Sequence, residues 1–330
     1  MKFLETFEVE MYDFSQANLN NENRIKAITL VASVCYQNPK ALNSASLYNR
    51  LMAESIGLPS SSFEFVPVLL RYDRLDAKKL LEDDRSQARK FGEWIEFIEP
   101  ETGRKKEALL TNYRALYYDY ENAIKWVRNF YAGRVDSPEN VENLEQQEKY
   151  LKEQYLGFFN TEEECAIIKK HFKVYKFRVD LSTRAQMVRH RVNWQELSRR
   201  YVSGKRVPFS FYISEGMKKV KSRVEIETYY TKEDGFETST TGYISNTTER
   251  LIQDCVEHYY AALELGVKPE EARRIIPQGM QTIIWGAFQP RQLENFYKLR
   301  LEPKAQVEIR EVATAMLELK TKGEYSGNSN

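Results

Sequence analysis

Apolar and polar positions along this 330-residue chain change period several times. Residues 24–36, RIKAITLVASVCY, form an apolar stretch that fits a buried helix or strand ending before Asn38-Pro39. Residues 46–57 predict a short helix stopped by Gly57. FEFVPVLLRY, residues 63–72, has the composition of a strand, and Pro67 within it favours a sheet edge or a bulge. Residues 75–98 and 109–131 place apolar side chains at helical spacing. The acidic run 137–155 predicts a further helix, with Ser137 as N-cap and Pro138 at its first position.

FKVYKFRVDL, residues 172–181, alternates like a half-buried strand. Residues 222–231 and 235–244 look like the arms of a β-hairpin turning near KEDG. Beyond it the pattern is mainly helical. Thr247 or Thr248 can cap a helix whose Leu251, Cys255, Tyr259 and Ala262 share a face and which Gly266 ends. Pro269 opens a second helix, TIIWGAF (282–288) reads as a strand, and Pro290 starts a helix to about Leu301. Residues 305–320 are the last long helix, and the tail from residue 323 is expected to fray. Strands at both ends of a helical pattern predict an α+β fold. The whole chain, 1–330, is expected to be one domain. Within it, residues 71–170 have a different texture, highly charged and rich in Tyr, and predict a large, mainly helical insertion with a solvated surface.

Composition narrows the classes. Apolar residues make up 42% and charged residues 29%, which suits an ordinary folded core. The net charge of +1 argues against bulk electrostatic capture of nucleic acid or of an acidic membrane, so any anion site must be local. Cys35, Cys165 and Cys255 show no paired spacing, and His171, His190 and His258 are far apart in sequence. Neither a disulfide framework nor a metal site is expected. The acids in the first 14 residues do not fit a signal peptide, and no stretch approaches 18 uncharged apolar residues. A reducing cytoplasm is the expected location.

Against that neutral background, residues 184–206, RAQMVRHRVNWQELSRRYVSGKR, hold seven Lys/Arg and a single acid, Glu196. Arg189, His190 and Arg191 are adjacent and cannot share one face of a regular element. A turn could fan them toward different anionic groups of one ligand, with Ser and Gln adding neutral hydrogen bonds. An exposed basic helix end is the plain alternative. A second candidate runs from Pro269 to Ala313. Arg291 and Asn295, four apart, share a helix face, Leu293, Phe296 and Leu299 or Leu301 form its packed side, and Arg300 ends the apolar run. An arginine there needs a partner, Glu302 or Glu308, or a ligand.

The motifs in order are Q-x-x-R-H-R (from Gln186), E-x-S-x-R-Y (from Glu196), A-R-x-x-x-P (from Ala272), P-R-x-L-x-N-F-x-x-L-R (from Pro290) and A-Q-x-E-I-R (from Ala305). Together they resemble the flavin-dependent thymidylate synthase family. ASVCY (32–36) and GLPSSSFEF (57–65) are similar to its N-terminal blocks. The resemblance covers about residues 24–70 and 172–320, leaving 71–170 mostly outside.

It implies mixed helices around an antiparallel-rich sheet, and a homotetramer whose active sites are shared between subunits. The implied reaction methylates dUMP to dTMP, with methylenetetrahydrofolate as carbon donor and NADPH as reductant through FAD. It also implies that Gln186, Arg189, Glu196, Ser198, Arg199, Arg200, Arg273 and Arg300 hold dUMP, with Arg300 the catalytic residue that stabilises the ionised uracil ring. Ser61, Arg189, His190, Arg191, Gln289, Arg291 and Asn295 would meet FAD. No metal is implied.

The chain departs from the family pattern at four places. VNWQEL puts six residues between the triplet and Ser198, where seven are usual, and Gln195 stands where Asn is usual. Gln289-Pro290-Arg291 replaces N-x-R, and Glu64-Phe65 lacks the usual histidine. TNYRAL (111–116) also contains an Asn-x-Arg, but without the downstream motifs. Two other functions are compatible with the residues. One is a flavin- and nucleotide-binding relative with impaired catalysis. The other is a single-stranded nucleic-acid binder using arginines and aromatic stacking, which the near-zero net charge disfavours.

Overall fold

A computed structural model describes the chain except for residues 58, 100–101, 135–136, 232–236 and 327–330. The expected KEDG turn and the end of the tail lie outside the described residues. The strands in chain order are β1 (Lys2–Leu4), β2 (Glu8–Tyr12), β3 (Pro67–Leu70), β4 (Glu93–Ile98), β5 (Lys105–Asn112) and β6 (Lys173–Asp180). They continue with β7 (Asn193–Glu196), β8 (Ser210–Tyr212), β9 (Lys221–Thr231), β10 (Glu237–Thr247) and β11 (Gln281–Phe288). The helices begin with α1 (Asn21–Tyr36), α2 (Ala45–Gly57), α3 (Leu75–Glu82), α4 (Gln87–Phe91), α5 (Tyr113–Tyr131) and α6 (Pro138–Leu151). After α7 (Glu162–His171) and α8 (Leu181–Met187) come α9 (Glu215–Lys218), α10 (Thr248–Glu264), α11 (Pro269–Ala272), α12 (Pro290–Arg300) and α13 (Val307–Lys322). The architecture is α+β, as the alternation of periods predicts.

Two compact units are distinguished by their internal contacts. The first comprises residues 1–7, 179–184 and 198–282. Here β1 pairs in parallel with β8, and β9 and β10 form the expected antiparallel hairpin. Thr247 caps α10 by accepting from the Arg250 amide, and Gly266 follows the helix with φ +85°. The buried stripe of α10 is Ile252, Val256 and Tyr259, packed near Phe209, Phe211 and Ile276. This corrects the expected face. Leu251 is 45% exposed, because the spacing that starts one residue later is the one that meets the aromatic core.

The second unit comprises residues 8–178, 185–197 and 283–330. One sheet runs in the order β2-β6-β11-β7, with β2 antiparallel to β6 and β7 antiparallel to β11. The other runs β3-β5-β4, antiparallel throughout, with β3 at an edge and Pro67 as its first residue. That edge position spares a proline the ladder bond it cannot donate.

Residues 75–131 differ from a purely helical reading. Residues 93–98 alternate buried and exposed in β4, and residues 109–112 complete β5 rather than start α5. Asn112 then caps α5 by accepting from the Ala115 amide. Nor is residues 71–170 a solvated surface throughout. The segment is mainly helical, yet Leu109, Leu110 and Leu116 are fully buried in the main core with Phe63, Val68 and Leu69. Farther on, Ser137 caps α6 as expected, and a π-helical turn follows at Lys152–Leu156.

The main core contains an arginine. Arg24 on α1 is 1% exposed. Its Nε and Nη2 donate to Asn18 Oδ1, Nη1 to the Leu156 carbonyl at 2.9 Å and Nη2 to the Phe158 carbonyl at 2.8 Å. The guanidinium lies between the rings of Tyr113 and Phe159, 3.9 and 4.3 Å from their centroids.

Candidate functional site

The residues expected to meet flavin all belong to the second unit. After α8 the backbone turns sharply, with the His190 amide bonded to the Met187 carbonyl and the Val192 amide to the His190 carbonyl. The turn separates three adjacent side chains as their chemistry requires. His190 is 7% exposed, while Arg189 and Arg191 project to the surface. Neither arginine has a carboxylate partner among the described residues.

The His190 ring packs on Phe296 of α12 at 4.7 Å, and its Nε2 accepts from Arg300 Nε at 2.8 Å. Arg300 Nη2 also donates to the Gln186 carbonyl at 3.0 Å. The Gln186 amide in turn donates to Gln306 Oε1, so the motif beginning at Ala305 reaches the first one through a side-chain bond.

Arg300 therefore pairs with neither Glu302 nor Glu308. Its partners are neutral, and among the described residues no carboxylate balances it. Burial, and then the nearby Arg189, lower its pKa from the usual arginine range, as expected for an uncompensated cation. Nη1 is left without a partner among the described residues. His190 is shifted further, to about 4, first by burial and then by the Arg300 charge. It is neutral at physiological pH, with Nε2 free of a proton to accept and its proton on Nδ1.

A pH dependence follows. In the unfolded chain a histidine takes its proton near pH 6.5, whereas folded His190 resists it until about pH 4. Its contribution to stability is complete above about pH 6.5 and is lost as pH falls from there toward 4. His190→Gln keeps an acceptor for Arg300 and removes this titration. The urea midpoint of the variant should fall less than that of the parent between pH 7 and pH 4.5. His171, whose pKa burial and Lys170 also lower, contributes to both proteins and cancels. Equal losses in both proteins would remove His190 from this account.

The shortened loop is a strand. Its Asn193–Glu196 segment pairs with β11, Glu196 standing opposite Ile284. Glycine at 286 makes the pairing possible, because a Cβ there would lie 2.5 Å from the Trp194 ring. Trp194 then donates its indole N–H to the His190 carbonyl at 3.1 Å, fixing the turn. Gln195 links two earlier blocks. Its Oε1 accepts from Ser61 at 2.7 Å and its Nε2 donates to Cys35 Sγ at 2.7 Å, while Cys35 Sγ reaches the Glu196 carbonyl at 3.1 Å. The sequence singled out Ser61 and Glu196, but not the Gln195 and Cys35 contacts that tie the two earlier blocks to β7.

On α12, Arg291 and Asn295 lie on the exposed face, whereas Leu293 and Phe296 are buried. Leu299, one of the residues expected on the packed side, is 45% exposed beside Asn295. Gln289 also differs from expectation. It is buried, and its Nε2 donates to the Phe91 and Leu110 carbonyls. Those contacts commit it to the fold rather than to a ligand. The Glu93 carboxylate accepts the Arg291 amide at the start of α12, where a negative charge suits the helix dipole. Segment 71–170, which carries no motif, thus positions the helix that carries one. The other Asn-x-Arg is structural, since Arg114 bonds the Pro59 carbonyl and pairs with Glu64.

The first unit holds the remaining nucleotide candidates. Arg199 is 7% exposed, stacked 4.7 Å over the Phe209 ring, with Nη1 donating to the Val207 carbonyl. Its buried Nε has no partner among the described residues. Arg200 pairs with Glu270 at 2.9 Å, and Arg273 Nε reaches the carbonyl of the same Glu270 at 3.4 Å, so one residue gathers two of the expected arginines. The Ser198 hydroxyl has no partner among the described residues.

The α+β fold thus surrounds a neutral, buried histidine with arginines that no carboxylate balances among the described residues. The family model described as thymidylate synthase complementing protein matches residues 117–322, more than half of the chain, and the chain belongs to that family. The match takes in the second half of segment 71–170 and leaves residues 24–70 outside. A flavin-dependent thymidylate synthase of Saccharolobus solfataricus is 43% identical over 70 residues, 21% of this chain and 27% of that one. One of Pyrococcus furiosus is 32% identical over 136 residues, 40% of this chain and 47% of that one. The chain thus spans about a quarter to a half of the length of these relatives. Among solved structures, a UMP/dUMP methylase PolB from Streptomyces cacaoi bound with 5-Br UMP is 21% identical. Its TM-score is 0.34, over 46% of this chain and 69% of that one. No helix among the described residues is long and apolar enough to cross a membrane, and no group of three His, Cys, Asp or Glu could hold a metal ion.

Proposed function

We propose that this protein is a cytoplasmic, FAD-dependent thymidylate synthase that converts dUMP to dTMP. Methylenetetrahydrofolate would be the carbon donor and NADPH the source of reducing equivalents. Within a family membership that sets the class, the observation that supports the reading most is Arg300. Its guanidinium is fixed by two neutral acceptors, carries no counter-ion among the described residues and keeps one nitrogen unspent. An uncompensated, half-buried cation stabilises negative charge that develops beside it. On this reading it favours the ionised form of the uracil ring and so activates the ring carbon that is alkylated.

FAD, when bound, supplies the reducing chemistry. The chain's own residues suit the task of holding it, with the unpaired Arg189 and Arg191 available for its phosphates and Asn295 for a neutral contact. Gln289 does not fit, because it is spent within the fold. For dUMP the candidates in the second unit are Gln186, Arg189, Glu196 and Arg300. In the first unit they are Ser198, Arg199, Arg200 and Arg273. The orphaned Nε of Arg199 is the kind of buried donor that a ligand oxygen would satisfy. Ser198 donates a neutral hydrogen bond and is not a nucleophile. A homotetramer with shared sites suits flavin residues spread over Ser61, the 189–191 turn and α12.

Purified protein should be yellow, should scatter light as a tetramer and should release tritium from 5-tritiated dUMP when folate and NADPH are present. Colourless protein that stays so after incubation with FAD would overturn the reading. The burial of Gln289 favours one second reading, a relative that binds flavin and nucleotide with impaired turnover. Flavin binding without tritium release would select it.

A further inference from the structure

A second basic feature of the second unit lies away from the residues discussed so far. A cavity of about 360 Å³ is lined by Lys170, His171 and Lys173, where α7 passes into β6, and by Lys320 of α13. Its remaining wall includes Leu293, Glu294 and Tyr297 of α12. With about 3.6 residues per turn, Leu293 and Tyr297 face away from Arg291, Asn295 and Leu299, while Glu294 stands at the border between the two sides. The apolar part of the cavity wall therefore uses a side of α12 turned away from Arg291 and Asn295.

Its charge is unbalanced. Lys169, the neighbour in sequence, is paired with Asp13 at 2.8 Å. Among the described residues Lys170, Lys173 and Lys320 have no carboxylate partner, and Glu294, the one acid in the lining, pairs with none of them. Lys173 is 8% exposed, held by the Lys169 carbonyl at 2.5 Å and the Tyr325 hydroxyl at 3.1 Å. Burial, and then Lys320, lower its pKa, while Asp13 acts in the opposite direction. The Lys320 ammonium stands 5.8 Å from the centre of the Tyr297 ring. Three lysines and a histidine thus converge with one acid among them, and a bound anion would relieve the repulsion.

We propose that this cavity binds a small phosphate-bearing molecule, with the phosphate between Lys170, Lys173 and Lys320 and an apolar body against Leu293 and Tyr297. Ammonium groups are point charges without a planar fork, which suits tetrahedral phosphate oxygens better than it favours a single carboxylate. A dianion also matches several lysines better than a monoanion does. The volume is at the lower end of ligand pockets, enough for a phosphate and a short body but small for a dinucleotide. The proposal rests on this cavity alone and is independent of the function proposed above.

The test uses the full chain and inorganic phosphate, titrated by calorimetry at constant ionic strength set with sodium chloride. The double variant Lys170→Gln, Lys320→Gln changes two exposed side chains and leaves buried Lys173 in place, so the fold is kept. The parent should bind phosphate saturably, and the double variant at least about tenfold more weakly, as expected for losing two charge-assisted contacts. Arg189→Gln, Arg191→Gln should leave this binding unchanged. The proposal is overturned if the parent shows no saturable binding, or if the lysine double variant binds like the parent. Loss of binding only in the arginine variant would also overturn it, by assigning the phosphate to the 189–191 turn.

Discussion

Arg300→Lys should lower dTMP formation about 10²–10³-fold at saturating dUMP, in protein whose flavin content matches the parent. This rests on the function proposed above. The reason is geometric as well as electrostatic. Arg300 uses Nε for His190 and Nη2 for the Gln186 carbonyl, and a third nitrogen remains. A lysine has one nitrogen. It can bond His190 or face the ligand, and it cannot be braced from two sides while doing the second. The neutral state of His190 sharpens the effect, since an imidazole held to about pKa 4 accepts from a cation without cancelling its charge. Ser198→Ala provides the contrast. Its hydroxyl bonds none of the described residues, so the loss should be that of one neutral hydrogen bond to the ligand, roughly 0.5–1.5 kcal/mol, with turnover still measurable. Near-normal activity in Arg300→Lys with an inert Ser198→Ala would reverse both assignments.

Arg24→Ala should destabilise the protein by more than about 3 kcal/mol, read as a shift of the urea midpoint. The side chain makes four hydrogen bonds to Asn18 and to the Leu156 and Phe158 carbonyls while filling the space between two rings. Truncation would strand buried acceptors and leave a cavity together. Arg24→Lys should recover little, because one ammonium cannot reach the acceptors spread around the edge of the guanidinium. Arg128 makes a useful comparison. It pairs with Glu148 at 2.6 Å but is 59% exposed, so Arg128→Ala should cost no more than about 0.5 kcal/mol. If both alanine variants were equally stable, the buried arginine would not be the tie between α1 and the turn at Leu156 that its contacts describe.

Much of this could be read from residue order. Caps at Ser137 and Thr247, the edge proline of β3 and the hairpin arms follow from local chemistry that needs no partner. β4 was hidden for a different reason. Its EWIEFI alternates with period two, but only over six residues, directly after two short helices whose charge suggested that the helical pattern continued. LLTN was ambiguous because a fully buried run has no polar face to set its period.

At the candidate site, the motif residues could be named without coordinates, whereas their couplings could not. Arg300 and His190 are 110 residues apart, and nothing in either motif marks the bond between them. Gln289 shows the converse. It occupies a motif position, yet its amide closes on carbonyls from a segment that looked separate.

The sheet β2-β6-β11-β7 has a consequence for how the chain reaches its structure. Lys176 and Glu10, joined across β6 and β2, are 166 residues apart in sequence, so that pairing must close a very long loop. The hairpin of β4 and β5 needs almost no chain to close, and α5 and α6 are near neighbours. Closure entropy grows with loop length, and distant pairings form slowly. Refolding from urea should therefore show early far-ultraviolet ellipticity from the middle of the chain. The Trp194 and Trp285 fluorescence of native β7 and β11 should arrive later. The turn that carries His190 hangs on β7, so ligand-binding competence would be the last property the newly made chain acquires.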